Sequence, residues 1–216
     1  MLKALIPVRA GSERVKNKNI RPFADTSLLE LKIKQLLRIK EIDEVCVNSE
    51  CDRMLSIAAS LGAIPIKRDH RFATSSVPMN DVYENFAENI DCDHVLYTNV
   101  TSPLVEDETY RNCISKYFSL NDHDSLSTVT LLKENLWLDG NPINYDPDYH
   151  PRSQDLPDIV YLNFAINILP RMLMLERRNV IGKCFFPYVM NKIESIDIDD
   201  ADDFEMAEYF YRKKTL

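Results

Sequence analysis

Two different spacings of apolar residues follow one another at the start of the chain. Residues 2–7 (LKALIP) form a short, nearly continuous apolar run that ends in proline, and this pattern predicts a buried strand. Residues 27–40 carry leucine and isoleucine at helical spacing, and Ser27 with Glu30 has the form of a capping box. The polar segment between these two runs is therefore predicted to be a loop that joins a strand to a helix.

The alternation of strand and helix continues along the chain. Further strands are predicted at residues 45–48, 64–66, 94–98, 125–132 and 160–169, and further helices at residues 53–61, 81–90, 107–118, 172–178 and 201–212. Such alternation indicates an α/β fold with a mainly parallel sheet and helices on both faces. Ligands of such sheets bind at the carboxyl ends of the strands. The loops expected to form a site are those after Pro7, Asn48, Thr98 and Leu132.

The regular pattern is interrupted between about residues 133 and 168 by a stretch rich in turns, prolines and aromatic residues. A disordered linker is one interpretation of this stretch. Trp137 and several tyrosines favour a packed insertion or an arm that forms a dimer. We therefore expect a single domain over residues 1–216 with a dimerisation insertion at about 133–168.

Composition narrows the classes of partner. The chain has 216 residues, 45% of them hydrophobic, and a formal net charge of −8, which disfavours nucleic acid as a partner. Its five scattered cysteines suggest neither a disulfide framework nor a zinc site, and reduced thiols are typical of the cytoplasm. No apolar run reaches the length of a membrane span, so we expect a cytoplasmic protein that does not bind a membrane.

Candidate chemistry is concentrated in the loop after the first predicted strand, PVRAGSERVKNKN, residues 7–19. Gly11 is suited to a positive φ or to a close approach of the backbone. Arg9, Ser12 and Lys18 add a guanidinium, a hydroxyl and an ammonium group, which together can hold a triphosphate. The loop lacks the endings of a Walker loop and of a dinucleotide-binding motif. A basic surface loop is the alternative interpretation.

The RxGS segment followed by Lys18 and Asn19 resembles the signature of the acylneuraminate cytidylyltransferases, the enzymes that make CMP-sialic acid and related CMP-nonulosonates. The similarity extends to further segments. Arg68 and Asp81 keep the spacing of the family's RP and DV segment, and residues 99–104 (NVTSPL) correspond to QPTSPL. Residues 152–157 (RSQDLP) correspond to RRQDLP, Asn163 and Ala165 to NGA, and residues 195–208 (SIDIDDADDFEMAE) to SxDID with DF and AE. These segments occur in the same order over nearly the whole chain.

The resemblance implies a Rossmann-like nucleotidyltransferase fold of the GT-A type and a homodimer whose inserted arm completes the neighbouring site. It implies CTP and a sugar acid as substrates and Mg²⁺ (or Mn²⁺) as cofactor. Catalytic roles fall on Arg9 and Lys18, nucleotide binding on Arg9, Ala10, Gly11, Ser12, Asn19 and Arg68, and sugar binding on Asn99, Thr101, Ser102, Arg152, Gln154 and Asn163. The expected reaction is an in-line attack by the anomeric hydroxyl on the α-phosphorus of CTP.

Asp197 and Asp199 are the candidate metal ligands. In an extended segment, residues i and i+2 point to the same face, so both carboxylates can reach one cation. The alternative role is to cap the helix that follows. Asp200, Asp202 and Asp203 fit that capping role, whereas the four histidines have no mutual ligand spacing.

Several positions depart from the family pattern. Glu13 stands where relatives usually have lysine, and Met79 stands where a serine often helps to hold the nucleotide. Asn99 replaces glutamine and Phe164 replaces glycine, both where the sugar would bind, which indicates a reshaped sugar pocket. The alternative functions are a nucleotidyltransferase for an eight-carbon acid or a sugar phosphate, and a non-catalytic nucleotide-binding dimeric homologue.

Overall fold

The structure is a computed structural model, and it describes residues 1–12 and 14–215. Glu13, the acidic position in the basic loop, lies outside the described residues. The central element is a seven-stranded sheet. Its strands are β1 (Leu2–Pro7), β2 (Glu44–Ser49), β3 (Ile64–Lys67), β4 (His94–Tyr97), β5 (Ser125–Leu132), β6 (Ile159–Pro170) and β7 (Phe185–Met190).

The sheet has the strand order β3-β2-β1-β4-β6-β5-β7. Strand β6 runs antiparallel to its neighbours β4 and β5, whereas the other pairings described in this sheet are parallel. The expected mainly parallel mixed sheet is therefore confirmed. Because β1 and β4 are central and parallel, the loops after both strands lie at the same edge of the sheet.

Helices cover both faces of the sheet, as the alternation predicted. They are α1 (Leu28–Leu37), α2 (Asp52–Ser60), α3 (Met79–Glu88), α4 (Asp107–Phe118), α5 (Arg171–Arg177) and α6 (Ala201–Thr215). Ala4 and Ile6 of β1 pack in the apolar cluster beneath α1, α2, α4 and α6. Leu5, between them, packs in a second cluster beneath α3 and α5. The side chains of β1 thus alternate between two cores.

The predicted capping box at the start of α1 is formed in part, because Ser27 caps the helix but the Glu30 side chain binds hydroxyl groups and not the Ser27 backbone N–H. The Ser27 hydroxyl accepts a hydrogen bond from the Glu30 backbone N–H at 3.3 Å, and the same hydroxyl donates to the Glu30 carboxylate at 2.8 Å. The Glu30 side chain therefore binds the capping hydroxyl itself. This arrangement satisfies one of the free N–H groups at the helix start and fixes where the loop from β1 ends.

Strand β7 is the sheet element that the hydrophobic pattern did not predict. It pairs in parallel with β5 at the edge of the sheet. Pro187 lies in its middle, and proline within an apolar run argues against a central strand because it removes a backbone donor. At an edge position this missing donor costs little, which explains why the strand forms despite its sequence.

The predicted insertion at about 133–168 divides into two parts. Residues 159–168 belong to β6, so only residues 133–158 lie outside the sheet. This arm contains a small antiparallel pair, Trp137–Leu138 with Asn141–Pro142, and it exposes Trp137, Leu138, Ile143 and Tyr149. None of the helices in the described part of the chain is both long and apolar enough to cross a membrane.

Candidate active site

The loop after β1 is folded back on itself by its own polar groups. Gly11 has φ +81°, which confirms the expected need for glycine at this turn. The Asn19 side chain is buried and donates to the Arg9 carbonyl oxygen at 3.0 Å. The Arg9 guanidinium donates to the Ala73 carbonyl oxygen at 2.9 Å, and Ser12 lines the adjoining cavity. These contacts give the loop a fixed shape with Arg9 and Ser12 along one wall.

Lys18 connects this loop to the late aspartates. Its Nζ donates to the carbonyl oxygen of Ile198, between Asp197 and Asp199, at 2.6 Å. Burial lowers the pKa of the Lys18 ammonium group, and the charges of Asp197 and Asp199 oppose that shift. The two segments therefore converge at one place, although the interacting residues are separated by 180 positions in the sequence.

The aspartate segment is also held by the loop after β4. The Ile198 backbone N–H donates to the Thr101 carbonyl oxygen at 2.9 Å. Burial raises the pKa of the Asp197 carboxyl, and a hydrogen bond with the Thr101 side chain opposes that shift. Asp197 Oδ1 is buried and has no hydrogen-bond partner among the described residues. A buried carboxylate oxygen without a donor is an unfavourable arrangement unless a cation or a ligand approaches it.

Asp199 has a different environment. It is exposed, lines both cavities described below, and its carboxylate accepts a hydrogen bond from Arg14 at 2.6 Å. The capping role belongs to its neighbours: the Asp200 side chain accepts from the Asp203 N–H at 3.0 Å, and the Asp203 side chain accepts from the Asp199 and Asp200 N–H groups. Neither Asp197 nor Asp199 is used as the side-chain cap of α6.

Arg68 lies on the other side of the basic loop and is only 5% exposed. Its guanidinium pairs with Glu50 at 3.1 Å and also donates to the Val8 carbonyl oxygen. Glu50 in turn accepts from the Ala10 backbone N–H at 2.7 Å. Burial lowers the pKa of Arg68, and the Glu50 carboxylate opposes that effect. Arg68 is therefore buried and paired, and the Ala10 N–H, which the resemblance assigns to the nucleotide, binds Glu50.

Two adjoining cavities meet in this region. We name the two cavities after the ligands that the resemblance assigns to their residues. The nucleotide cavity, beside the basic loop, has a volume of about 580 Å³ and is lined by Arg9, Ser12, Lys18, Asn19, Arg68 and Thr101. The sugar cavity, beside β6 and the aspartates, has a volume of about 830 Å³ and is lined by Asn163, Phe164, Tyr161, Lys192 and Asp197. Both are lined by Met79, Tyr97, Asn99 and Asp199, so the two cavities adjoin at these residues.

The residues predicted to bind the sugar fall into three groups. Asn99 lines both cavities and Asn163 lines the sugar cavity, whereas Thr101 lines only the nucleotide cavity. Ser102 is 1% exposed, lies outside both cavities, and its carbonyl oxygen accepts from Lys32. Arg152 and Gln154 lie on the exposed arm, where Arg152 pairs with Asp155 at 2.7 Å. The structure thus brings the first group together but not the other two.

Three residues that line or support the cavities belong to none of the sequence motifs described above. Glu50 directly follows β2, one of the strand ends expected to face the site. Tyr97 ends β4, the next such strand. Its buried hydroxyl forms a hydrogen bond with Tyr83, and burial raises the pKa of Tyr97 well above the usual range. Lys192 lies on the loop after β7, the unpredicted strand. The strand-end rule could have identified Glu50 and Tyr97, but not Lys192.

The fold and site geometry correspond to one class of protein. Solved structures that share this fold include CMP:2-keto-3-deoxy-manno-octonic acid synthetase complexed with CTP. The TM-score is 0.72, the sequences are 12% identical, and 99% of each chain is covered. Another is 4-diphosphocytidyl-2C-methyl-D-erythritol synthase from Anaerococcus prevotii DSM 20548, with TM-score 0.72, 15% identity and 98% of each chain covered. The fold is therefore the nucleotidyltransferase fold. A family model described as cytidylyltransferase matches residues 3–152, so the chain belongs to the cytidylyltransferase family.

Similar curated proteins come from several bacteria. The chain is 26% identical to the N-acylneuraminate cytidylyltransferase of Escherichia coli O18:K1:H7 over 98% of its own length but only 52% of that protein. It thus spans about half of that relative. It is 25% identical to the pseudaminic acid cytidylyltransferase of Campylobacter jejuni serotype O:2, with 96% and 95% of the two chains covered. It is 26% identical to the CMP-N,N'-diacetyllegionaminic acid synthase of Legionella pneumophila, with 95% and 94% covered.

Proposed function

We propose that this protein transfers CMP from CTP to the anomeric hydroxyl of a nonulosonic 2-keto-3-deoxy sugar acid and releases pyrophosphate. The observation that carries the proposal is the contact between Lys18 and the backbone that joins Asp197 to Asp199. It places a basic loop and a carboxylate pair at the junction of two cavities, where a triphosphate and its cation can be held together. The names of the relatives similar over their full length support a nonulosonic acid as acceptor.

The nucleotide cavity supplies groups for the two ends of CTP. Arg9, Ser12 and Lys18 lie along the wall made by the loop after β1, where they would bind phosphate oxygens. The ion pair with Glu50 holds the Arg68 guanidinium, which also lines this cavity and would face the cytosine edge. Asn19 fixes the Arg9 backbone and lies beside the ribose region.

The donor set near Lys18 fits Mg²⁺ (or Mn²⁺). Asp197 offers a buried oxygen that has no partner among the described residues, and Asp199 is held by an exposed ion pair that another cation can replace at little cost. Two carboxylates are fewer than the ligands that such an ion takes, so phosphate oxygens and water would complete the set. When bound, the ion would neutralise charge on the phosphates.

The chemistry asked of the side chains is positioning and charge stabilisation. The C2 hydroxyl forms a bond to the α-phosphorus in line as the bond to the bridging β-phosphate oxygen breaks, and its proton is lost to solvent. Negative charge moves towards pyrophosphate, and Arg9 and Lys18 are the cations that face it. Tyr97 and Asn99 line both cavities and would hold the two substrates in contact at this point.

A homodimer formed through the arm would explain why Arg152 and Gln154 lie away from the cavities of their own chain. Its exposed apolar residues Trp137, Leu138 and Ile143 are typical of a surface that another protein covers. A homodimer would place the arm beside the neighbouring sugar cavity, where Arg152 would bind the substrate carboxylate with two hydrogen bonds. The homodimer and the role of Arg152 form part of the proposal.

The proposal is tested by pyrophosphate release with each of the four nucleoside triphosphates and a panel of sugar acids, with Mg²⁺ present. We expect release to require CTP and a nonulosonic acid together. Release with an eight-carbon acid alone, or with UTP and a sugar 1-phosphate, would redirect the assignment. Thermal stabilisation by CTP without any product would instead indicate a nucleotide-binding homologue that is not a catalyst.

A further inference from the structure

Lys32 is a buried lysine on the inner face of α1, and the proposed reaction does not use it. The residue is 1% exposed, and it forms no ion pair with a carboxylate among the described residues. Lysine is rarely buried unless its donors are satisfied. A lysine in this position therefore requires an explanation from its contacts.

Three hydrogen bonds occupy the Lys32 ammonium group. Its Nζ donates to the Tyr110 hydroxyl at 2.6 Å, to the Ser102 carbonyl oxygen at 2.9 Å, and to the Gln35 side-chain oxygen at 3.3 Å. An ammonium group has three N–H donors, so each donor has one acceptor. Gln35, one turn further along α1, donates to the Val105 carbonyl oxygen at 2.6 Å. The pair thus holds the middle and the far end of the loop after β4, residues 98–106.

A directional chain of hydrogen bonds continues from Lys32 to the sugar cavity. The Tyr110 hydroxyl lies 2.9 Å from Thr98 Oγ1, and Thr98 Oγ1 donates to the Ala165 carbonyl oxygen at 2.7 Å. Because Tyr110 accepts from Lys32 and Thr98 donates to Ala165, Tyr110 is the donor to Thr98. Ala165 follows Phe164 in the bulge of β6, where the register with β5 shifts between Leu162 and Asn167.

The second branch leads to the aspartates. Ser102, which accepts from Lys32, directly follows Thr101. Thr101 accepts from the Ile198 N–H and forms a side-chain hydrogen bond with Asp197. A displacement of the Ser102 carbonyl would therefore also displace the segment that carries Asp197.

We propose that Lys32 is a positioning residue that holds the loop 98–102 and the bulge 163–166 at the separation that the sugar acid requires. The inference rests on the proposed function, because it assigns the sugar acid to the cavity between these two segments. In the nucleotide cavity, Arg9 and Arg68 are held by contacts outside this network, and only Thr101 and the Ile198 carbonyl that binds Lys18 lie on its second branch. The sugar cavity is reached by both branches. Loss of Lys32 should therefore affect the acid more than CTP.

The test compares Lys32→Met with Lys34→Met, an exposed lysine on the same helix. We expect Lys32→Met to raise KM for the sugar acid roughly tenfold, with KM for CTP changed less than about twofold, because the lost hydrogen bonds act on the sugar cavity through both branches and on the nucleotide cavity only indirectly, through Thr101. Lys34→Met should behave as wild type. Equal changes in both KM values, or no change in either, would overturn the inference.

A milder variant covers the case in which Lys32→Met does not fold. Tyr110→Phe removes the donor to Thr98 and one acceptor of Lys32, and it leaves the bond between Lys32 and Ser102 in place. We expect it to raise KM for the acid, and Thr98→Val to do the same. An unchanged KM for the acid in both variants would overturn the inference.

Hydrogen exchange separates this inference from the proposed function, because it does not require turnover. We expect the amides of residues 98–102 and 163–166 to exchange faster in Lys32→Met than in Lys34→Met, while the loop around Arg9 is unchanged. Wild-type protein that makes no CMP-sugar, together with this pattern, would contradict the proposed function alone. Uniform exchange across these segments would contradict the positioning role of Lys32.

Discussion

Lys18 lies where the basic loop contacts the aspartate segment, so its ammonium group lies beside both the nucleotide cavity and the aspartates. Lys18→Met should lower kcat/KM for CTP by roughly 100-fold, because a half-buried cation that faces the phosphates is lost. Lys16→Met is the matched control, since Lys16 is exposed in the same loop. Steady-state kinetics with varied CTP gives the comparison. Equal rates for the two variants would mean that the loop does not hold the triphosphate.

Asp197 tests the proposed cation site directly. Asp197→Asn keeps the size of the side chain but removes the charge of a carboxylate with a buried, unsatisfied oxygen. We expect turnover to fall by roughly 100-fold or more while the melting temperature is unchanged or rises, because burial of the charge is unfavourable. Asp202→Asn, on an exposed residue of α6, is the control. A normal rate at saturating Mg²⁺ would remove Asp197 from the cation site.

Phe164 and Asn99 show how two departures from the family pattern are related. Phe164 has φ +54°, a conformation that suits glycine and is strained for a bulky residue. The motif NGA, which this segment resembles, has glycine at this position. The Asn99 side chain reaches the Phe164 carbonyl oxygen at 3.5 Å. The two changes are therefore in contact at the wall of the sugar cavity.

Phe164→Gly should relieve the backbone and enlarge the sugar cavity. We expect a change in the relative kcat/KM values for different nonulosonic acids, with KM for CTP unchanged, because the ring lines the cavity that faces the acid. Competition between two acids in one reaction measures this ratio directly. The same product ratio for variant and wild type would show that Phe164 does not select the acid.

At the scale of elements, α1 shows both what the sequence predicts and what it does not. Its existence and its cap follow from apolar spacing and from Ser27 with Glu30. Its orientation does not, because Lys32 and Gln35 are buried while Leu37 is exposed. The burial of polar residues here depends on acceptors in a loop about 70 residues away, which no local pattern reveals.

The buried state of Lys32 gives a pH dependence of stability. Burial lowers the pKa of its ammonium group from 10.5 to about 7, and the charge of Asp107 opposes the shift only partly. Between these pH values the unfolded chain holds a proton that the folded chain has lost, so stability rises with pH. The resulting amine still has two N–H donors for Ser102 and Tyr110. The contribution is complete above the unfolded pKa and is lost as the pH falls towards about 7.

The corresponding measurement is the stability of wild type relative to Lys32→Met, by chemical denaturation at several pH values. We expect the difference to shift in favour of wild type by up to about 1.4 kcal/mol per pH unit between neutral and alkaline pH. Lys34→Met should show no such slope. A difference that is constant with pH would mean that Lys32 keeps its usual pKa.

For the whole molecule, the class of fold follows from the alternation of elements. The convergence of the two site segments does not follow from it, because the aspartates come after β7, the strand that the hydrophobic pattern did not predict. The resemblance placed Arg9, Lys18, Asn99 and Asp199 in the site, and they line the cavities. Arg152 and Gln154 were also assigned to it, but they lie on the exposed arm of the same chain. Their role depends on assembly, which the sequence of one chain does not specify.

The proposed dimer makes a prediction about mixed variants. Asp199→Asn and Arg152→Ala should each be nearly inactive alone. If the arm of one subunit completes the site of the other, co-expression should restore roughly a quarter of wild-type activity, since half of the dimers are mixed and each has one intact site of two. Measuring turnover of the co-expressed pair provides the test. Activity no greater than that of the single variants would contradict exchange of arms.

The transfer itself is tested most directly by following the α-phosphorus of CTP. Wild-type protein would be incubated with α-³²P-labelled CTP, Mg²⁺ and a nonulosonic acid, and the products would be separated by chromatography. We expect the label to appear in a CMP-sugar, at the rate of pyrophosphate release, and only when the acid is present. Label that remains in CTP, or that appears as free CMP whether or not the acid is present, would contradict a site in which the loop after β1 and the aspartate pair hold both substrates.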